Sequence, residues 1–125
     1  MRTEAEAQKE LAKILDASGL LWTATANGGK RDKRTAAAMK ASGVKAGVPD
    51  ILIFTPCPDG HGCGFAIELK RKATDDKRKG RLSAHQKIWL QELRSHKWRA
   101  EVAYGVDHAL DLLRQAGYMI CLPKD

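Results

Sequence analysis

Two short apolar runs establish the fold of this chain: Gly47-Val48-Pro49-Asp50-Ile51-Leu52-Ile53-Phe54 and Phe65-Ala66-Ile67-Glu68-Leu69-Lys70. The Pro- and Gly-rich stretch 56–64 between them is typical of a turn, so the two runs are predicted to pair as the strands of a hairpin. Residues two apart in a strand point to the same face, so Glu68 and Lys70 are expected to emerge together. A paired strand that begins at Asp50 would place a second carboxylate beside them.

Two carboxylates and a lysine are the groups that metal-assisted phosphodiester hydrolysis requires. Carboxylate oxygens hold a hard divalent cation, and the cation neutralises charge on the phosphate. The lysine can orient or deprotonate the attacking water. The hairpin therefore predicts a hydrolytic site built from Asp50, Glu68 and Lys70.

The composition favours one domain with a polyanionic partner. The 125 residues include 22 Lys and Arg against 15 Asp and Glu, which gives a formal net charge of +7. A chain of this length can build one core over residues 1–125. The positive surplus favours nucleic acid, because Lys and Arg neutralise phosphates. A ribosomal-type or merely soluble basic protein would have the same charge, so charge alone does not separate these classes.

The sequence predicts a cytoplasmic protein without a membrane span. No apolar run reaches the roughly 18 residues of a span, and the polar, acidic segment 1–6 is unlike a signal peptide. The odd count of three cysteines favours a reducing compartment. Cys57 and Cys63 flank the hairpin tip around His61, but a zinc site needs about four ligands. Because only the distant Cys121 could complete such a site, two incidental thiols are the preferred interpretation.

Helical periodicity and capping patterns predict the remaining elements. In order, they are a helix over 3–18, a strand over 20–26, a short helix through 35–40, the two hairpin strands, a helix over 83–97, a strand over 100–104, a helix over 107–115 capped by Asp107, and a last strand over 118–122. This order predicts an α/β domain with a mixed sheet.

Two polar side chains fall on predicted apolar helix faces. At 100° per residue, Glu4 aligns with Leu11, and burying a carboxylate costs several kcal/mol unless it is paired or bound to metal. The alternative is a solvated glutamate stabilised by the helix dipole. Gln86 shares a face with Leu90 and could reach an active site, or it could serve only in a capping box with Ser83. One residue can do both.

These residues, in this order, resemble the PD-(D/E)xK nuclease superfamily and, within it, the VRR-NUC family. The matching motifs cover nearly the whole chain: Glu4, Gly47-Val48-Pro49-Asp50, Ile67-Glu68-Leu69-Lys70, Gly80-Arg81-Leu82-Ser83-Ala84-His85-Gln86 and the stretch 100–110. An Asp…Glu-x-Lys triplet alone occurs by chance. The Gly-x-Pro before it and the Gly-x-Leu-Ser-x-x-Gln after it make the match specific. The family includes short stand-alone members, often from phages and bacteria.

The resemblance implies a restriction-endonuclease-like fold, with a central mixed β-sheet flanked by α-helices, and a Mg²⁺- or Mn²⁺-dependent nuclease. The implied metal ligands are Glu4, Asp50, Glu68 and the Leu69 backbone carbonyl. Lys70 would position the attacking water, and Gln86 would orient Lys70 or that water. Stand-alone members resemble junction resolvases in forming homodimers that act on branched DNA, so a homodimer is expected here.

Two basic stretches, 30–45 and 71–81, are the predicted contacts to DNA phosphates, which carry no sequence information. The residues assigned to this contact are Lys30, Arg31, Lys33, Arg34, Lys45, Arg71, Lys72, Lys77, Arg78, Lys79 and Arg81. The stretch 30–45 is longer than in the shortest members of the family, and it can contact either DNA or the dimer partner.

The predicted function is a metal-dependent DNA endonuclease selective for branched DNA, such as a four-way junction. Flap or exonuclease activity is the nearest alternative. A non-catalytic module that binds branched DNA could have the same fold, but the intact acids and Lys70 argue against it. An RNA-binding basic protein would have no use for a carboxylate cluster, and a zinc-stabilised structural protein would use the hairpin cysteines.

Overall fold

A computed structural model describes residues 3–25, 32–60, 62–74 and 80–124. Its elements are α1 (Glu4–Ala17), β1 (Trp22–Ala24), α2 (Lys33–Ala41), β2 (Ile51–Ile53), β3 (Phe65–Lys70), α3 (Ala84–Ser95), β4 (Arg99–Tyr104) and α4 (Val106–Gln115). Within those ranges, no helix combines the length and apolarity that crossing a membrane requires.

The sheet is mixed, with strand order β1-β2-β3-β4. The β1–β2 and β2–β3 pairs are antiparallel, and the β3–β4 pair is parallel. The β2–β3 pairing confirms the predicted hairpin, and its register sets Ile51 opposite Ile67. Because antiparallel partners step in opposite directions, Asp50 lies opposite Glu68 at the next position of the ladder.

Helices cover both faces of the sheet, which confirms the predicted layered α/β fold. On one face, α1 and α4 enclose the main core, where Leu11, Ile67 and Leu113 are buried. On the other face, Leu90 of α3 packs with Ala66. Alternation along β3 therefore directs Glu68 and Lys70 to the face of Ala66, beneath α3.

The segment 118–122, predicted as a last strand, is irregular chain. Tyr118 is buried, packs edge-to-face on Phe65, and donates its hydroxyl to the Thr55 carbonyl at 2.7 Å. The Cys121 N–H donates to Ser18 Oγ at 2.9 Å. This segment thus covers the core, and a side chain at the end of α1 accepts one of its backbone donors.

Three other predicted boundaries differ from the structure. β1 spans only Trp22–Ala24 within the predicted strand 20–26, whose last residue lies outside the described ranges. α2 is longer than predicted, because Asp32 caps it and the helix begins at Lys33. α4 begins at Val106 with Gly105 at the N-cap, so Asp107 lies in the first turn and does not cap the helix.

Candidate active site

Asp50 is fixed by a backbone hydrogen bond across the hairpin. Its Oδ2 accepts the N–H of Leu69 at 2.8 Å. Because β2 begins only at Ile51, this N–H lies past the last paired residues of β2, and the carboxylate takes the place of a strand partner. The hydrogen bond holds the Asp50 carboxylate beside the strand that carries Glu68 and Lys70.

Glu68 is a buried acid, with only 2% of its surface exposed. Burial is the largest cause that raises its pKa, followed by a hydrogen bond to Asp50 and the negative charge of that carboxylate. The charge of Lys70 acts in the opposite direction and lowers the pKa of Glu68. A hydrogen bond between two carboxyl groups needs a proton on one of them. A bound cation that takes the place of this proton would therefore stabilise the pair.

Glu4 is exposed, because it precedes Ala7, the first buried residue of α1. Its exposure matches the alternative of a solvated glutamate in the first turn of the helix. Its Oε1 nevertheless accepts the N–H of Arg71 at 3.1 Å. Its negative charge is also the last of the causes that raise the pKa of Glu68. Glu4 therefore joins the start of α1 to the end of β3, next to the carboxylate pair.

Gly80 is a site residue that the sequence reasoning missed, since it was considered only as part of a motif. A Cβ on Gly80 would lie 3.2 Å from both the Arg71 backbone nitrogen and Lys70 Cδ, and 3.4 Å from Glu4 Oε1. Its N–H also donates to the Arg71 carbonyl at 3.0 Å, which closes the base of the charged segment 71–80. The available signal was a glycine at the point where this charged loop returns to the next helix.

Gln86 forms the predicted capping box at the start of α3. Its Oε1 accepts the Ser83 N–H at 2.8 Å, and its own N–H donates to Ser83 Oγ at 3.2 Å. With Oε1 already accepting the hydrogen bond of the cap, the Nε2 amide of Gln86 remains as a donor for a catalytic role.

Gly47 brings the α3 start close to the strand of Asp50. It has a φ of +88°, and a Cβ there would lie 2.6 Å from the backbone carbon of His85. Glycine therefore allows the chain that leads to Asp50 to approach the first turn of α3, where Gln86 lies.

A cavity of about 200 Å³ borders the site between the start of α1, the end of β3 and the start of α4. Glu4 and Lys70 line it, together with Arg71, Lys72 and Asp107. Asp50 and Glu68 do not line it, so the cavity reaches the edge of the site and not its centre. Its basic walls include two of the predicted DNA contacts.

The other predicted DNA contacts divide into those that the structure describes and those outside its described ranges. The exposed ones are Lys33, Arg34, Lys45, Lys72 and Arg81, whereas Arg71 is half-buried. Those outside the described residues are Lys30, Arg31, Lys77, Arg78 and Lys79.

The carboxylate pair fits a hard divalent cation by its chemistry. Asp50, Glu68 and the Leu69 carbonyl are oxygen donors, and Mg²⁺ is commonly held by one or two carboxylates plus water and substrate phosphate. Across the described ranges, no group of three or more His, Cys, Asp or Glu residues could hold a metal. Glu4 as a further ligand, which the resemblance implies, stays a prediction.

Among the residues that the structure describes, the hairpin cysteines belong to no such group. Cys57 is buried and Cys63 is exposed, while His61 lies outside the described residues. Burial raises the pKa of the Cys57 thiol, with a further contribution from Asp59. A higher pKa disfavours the thiolate that zinc requires, and the interpretation of incidental thiols stays a prediction.

The comparisons with known proteins agree with this geometry. The model of the VRR-NUC domain family matches residues 2–107. A solved structure described as a VRR_NUC domain protein has a TM-score of 0.71 and 23% sequence identity, and the match covers 94% of this chain and 89% of that one. No curated protein sequence matches the chain. With Asp50, Glu68 and Lys70 brought together at the two central strands of the sheet, the chain belongs to the VRR-NUC family of nuclease-like domains, within the PD-(D/E)xK superfamily.

Proposed function

We propose that this protein is a metal-dependent DNA endonuclease that hydrolyses phosphodiester bonds in branched DNA, such as four-way junctions, and that it acts as a homodimer. The observation that supports this proposal is the burial of Glu68 against Asp50, with Lys70 on the same face. A buried acid beside a second acid is costly to the fold. An apolar residue would suit a purely structural role at this position of β3 better.

When bound, Mg²⁺ or Mn²⁺ would neutralise phosphate charge and lower the pKa of the attacking water. Asp50, Glu68 and the Leu69 carbonyl would hold the metal, with Glu4 as the further ligand that the resemblance implies. The Leu69 N–H keeps Asp50 in position. The Lys70 ammonium would orient the water for attack on phosphorus.

Glu4 and Gln86 would support this chemistry from two helix starts. Glu4 adds negative charge near the acids and restrains Arg71 at the end of β3. The Gln86 amide would donate a hydrogen bond toward the water that Lys70 orients. The exposed lysines and arginines of stretches 30–45 and 71–81 would bind phosphates and position the scissile strand.

Branched DNA as the substrate and the homodimer both rest on the family resemblance. The net charge of +7 supports a polyanionic substrate in general. Two active sites in a symmetric dimer would cut two strands of a junction at symmetric positions, which gives the proposal a distinctive product.

The test is cleavage of a labelled four-way junction, a flap and a linear duplex in Mg²⁺, Mn²⁺ or EDTA. Lys70→Ala serves as the control, because it removes the ammonium and should spare DNA binding. We expect paired symmetric nicks in the junction that disappear in EDTA and in the variant.

The other outcomes are equally specific. Cleavage of the flap or the linear duplex alone would support nuclease activity and exclude junction resolution. Tight binding of the junction without cleavage in either metal would show that the protein is a non-catalytic binding module and not an enzyme.

A further inference from the structure

The helix α2 contributes no buried residue to the protein core. It spans nine residues, Lys33–Ala41, and none of them is buried. Met39 is half-buried and the others are exposed. The extensive packing between described elements does not involve α2. Helices shorter than about 12–15 residues are marginal in water, so α2 needs stabilisation beyond its own hydrogen bonds.

Its two caps supply part of that stabilisation. Asp32 Oδ1 accepts the Thr35 N–H at 2.7 Å, and this backbone hydrogen bond lowers the pKa of Asp32. At the other end, Ser42 Oγ donates to the Met39 carbonyl at 2.8 Å. These caps specify where the helix begins and ends without burying any of its faces.

The basic side chains of α2 share one face. At 100° per residue, Lys33, Lys40 and Arg34 fall within an arc of about 120°. Ala37 and Ala41 lie between them on the same arc, and all five residues are exposed. Met39, the half-buried residue, lies on the opposite side of the helix. Met39 is thus the least exposed residue of the helix, and the basic face on the other side is open to solvent.

The charge around this face is strongly one-sided. Residues 30–45 include six Lys and Arg residues, with Asp32 as the one acid. Asp32 is already engaged as the helix cap. A second copy of the same face would repel this one, whereas a polyanion would be attracted to it. The alanines between the cations leave room for a phosphate backbone to approach the helix closely.

We propose that α2 is a docking helix for duplex DNA, with Lys33, Arg34 and Lys40 on the phosphate backbone and Ala37 and Ala41 facing it. This inference rests on the DNA nuclease function proposed above, and it names the surface that would bind a double-stranded arm of the branched DNA. Asp50 is nine residues beyond Ala41, so the helix end lies within roughly 30 Å of the site. That distance is about nine base pairs of duplex at 3.4 Å each.

The test measures duplex binding in the Asp50→Asn background, so that cleavage plays no part. The combined variant Lys33→Ala, Arg34→Ala, Lys40→Ala removes the basic face. Its matched control, Lys9→Ala, Lys13→Ala, Lys124→Ala, removes the same charge at exposed positions outside α2. Fluorescence anisotropy with a labelled duplex gives Kd over a series of salt concentrations.

We expect the slope of log K against log salt to fall by about 2.7 in the α2 variant, because each phosphate that is no longer neutralised lowers the slope by about 0.9. The control should change the slope by less than about 0.9, the value for a single phosphate. Circular dichroism and thermal unfolding of both variants would check that the fold is retained.

A second pair of variants leaves the charge unchanged. Ala37→Leu adds bulk to the basic face, and Ala38→Leu adds the same bulk about 100° around the helix. Leucine is a good helix former at both positions. We expect Ala37→Leu to weaken duplex binding several-fold and Ala38→Leu to leave it close to that of the parent.

Each contrary outcome identifies which proposal fails. No binding of DNA by the parent protein would overturn the nuclease function together with the docking helix. Equal effects of the α2 variant and its control would overturn the docking helix alone. A change from dimer to monomer in the α2 variant would assign the basic face to a second copy of the chain and also overturn the DNA proposal for α2.

Discussion

The carboxylate of Asp50 and the backbone N–H of Leu69 are joined by a 2.8 Å hydrogen bond that ties the start of β2 to β3. This interaction gives Asp50 two separable properties. Its oxygen satisfies a backbone donor at the end of a strand pair, and its negative charge belongs to the acidic site.

Asp50→Asn should keep the first property and lose the second. The Asn oxygen can still accept the Leu69 N–H, whereas Asp50→Ala leaves that donor unpaired at a cost of about 1–3 kcal/mol. We expect both variants to lose cleavage and only the alanine variant to lose stability. Thermal unfolding beside a cleavage assay measures both properties. An asparagine variant that cleaves DNA at the parental rate would remove Asp50 from the chemistry.

Glu68→Gln should stabilise the metal-free protein at neutral pH. The folded state raises the pKa of Glu68, chiefly through burial. Above the ordinary value of about 4.3, the unfolded chain therefore binds fewer protons than the folded chain, and stability falls as pH rises toward the raised pKa. Replacing a buried ionisable group with a neutral one of similar shape should raise the free energy of unfolding by about 1–3 kcal/mol at pH 7.

The measurement for this variant is unfolding in EDTA from pH 4 to pH 8, compared with the parent. The two proteins should be closest in stability at the acidic end, where Glu68 carries its proton in both states. Mg²⁺ should raise the melting temperature of the parent and have less effect on the variant. A gap between the proteins that does not change with pH would show that Glu68 titration does not limit stability.

Ser83→Ala and Gln86→Ala separate helix capping from catalysis at the start of α3. Each variant removes one side chain of the capping box, at a cost of about 1 kcal/mol. If the Gln86 amide also serves the active site, Gln86→Ala should lower kcat further than Ser83→Ala at a similar loss of stability. Equal kcat values in the two variants would limit Gln86 to its capping role.

Gly80→Ala should lower kcat through crowding of the site. The added methyl would approach the Arg71 backbone nitrogen and Lys70 Cδ, each at 3.2 Å, and Glu4 Oε1 at 3.4 Å, so these neighbours must shift by a few tenths of an ångström. Because φ at Gly80 is not in the left-handed range, alanine adds no backbone strain there. We expect reduced kcat with little change in KM and a nearly unchanged melting temperature.

Gly19→Ala is the matched control for Gly80→Ala. Gly19 has a φ of +70° with open space around its Cβ position, so alanine there strains the backbone by about 1 kcal/mol or more. This variant should have a lower melting temperature and an unchanged kcat. Parallel losses of activity in both variants would attribute the effect of Gly80→Ala to general destabilisation.

Local sequence patterns were sufficient to predict the hairpin and the side of the sheet that carries the site. The period of two in a strand places Glu68 and Lys70 together, and a turn-rich link between two apolar runs pairs Asp50 with them. The capping pattern at Ser83 likewise located the start of α3. These features depend on neighbours a few residues apart, which a sequence displays directly.

Long-range packing determines how the site is enclosed and how the chain ends, and no local pattern predicted either. The burial of Glu68 depends on helices packed from distant parts of the chain, and Glu4 reaches Arg71 across 67 positions. The segment 118–122 resembles a strand locally, but Tyr118 and Cys121 find their hydrogen-bond partners at Thr55 and Ser18. Interactions between residues far apart in sequence prevail here, because local preferences of about 1 kcal/mol are smaller than the free energy of burial and pairing.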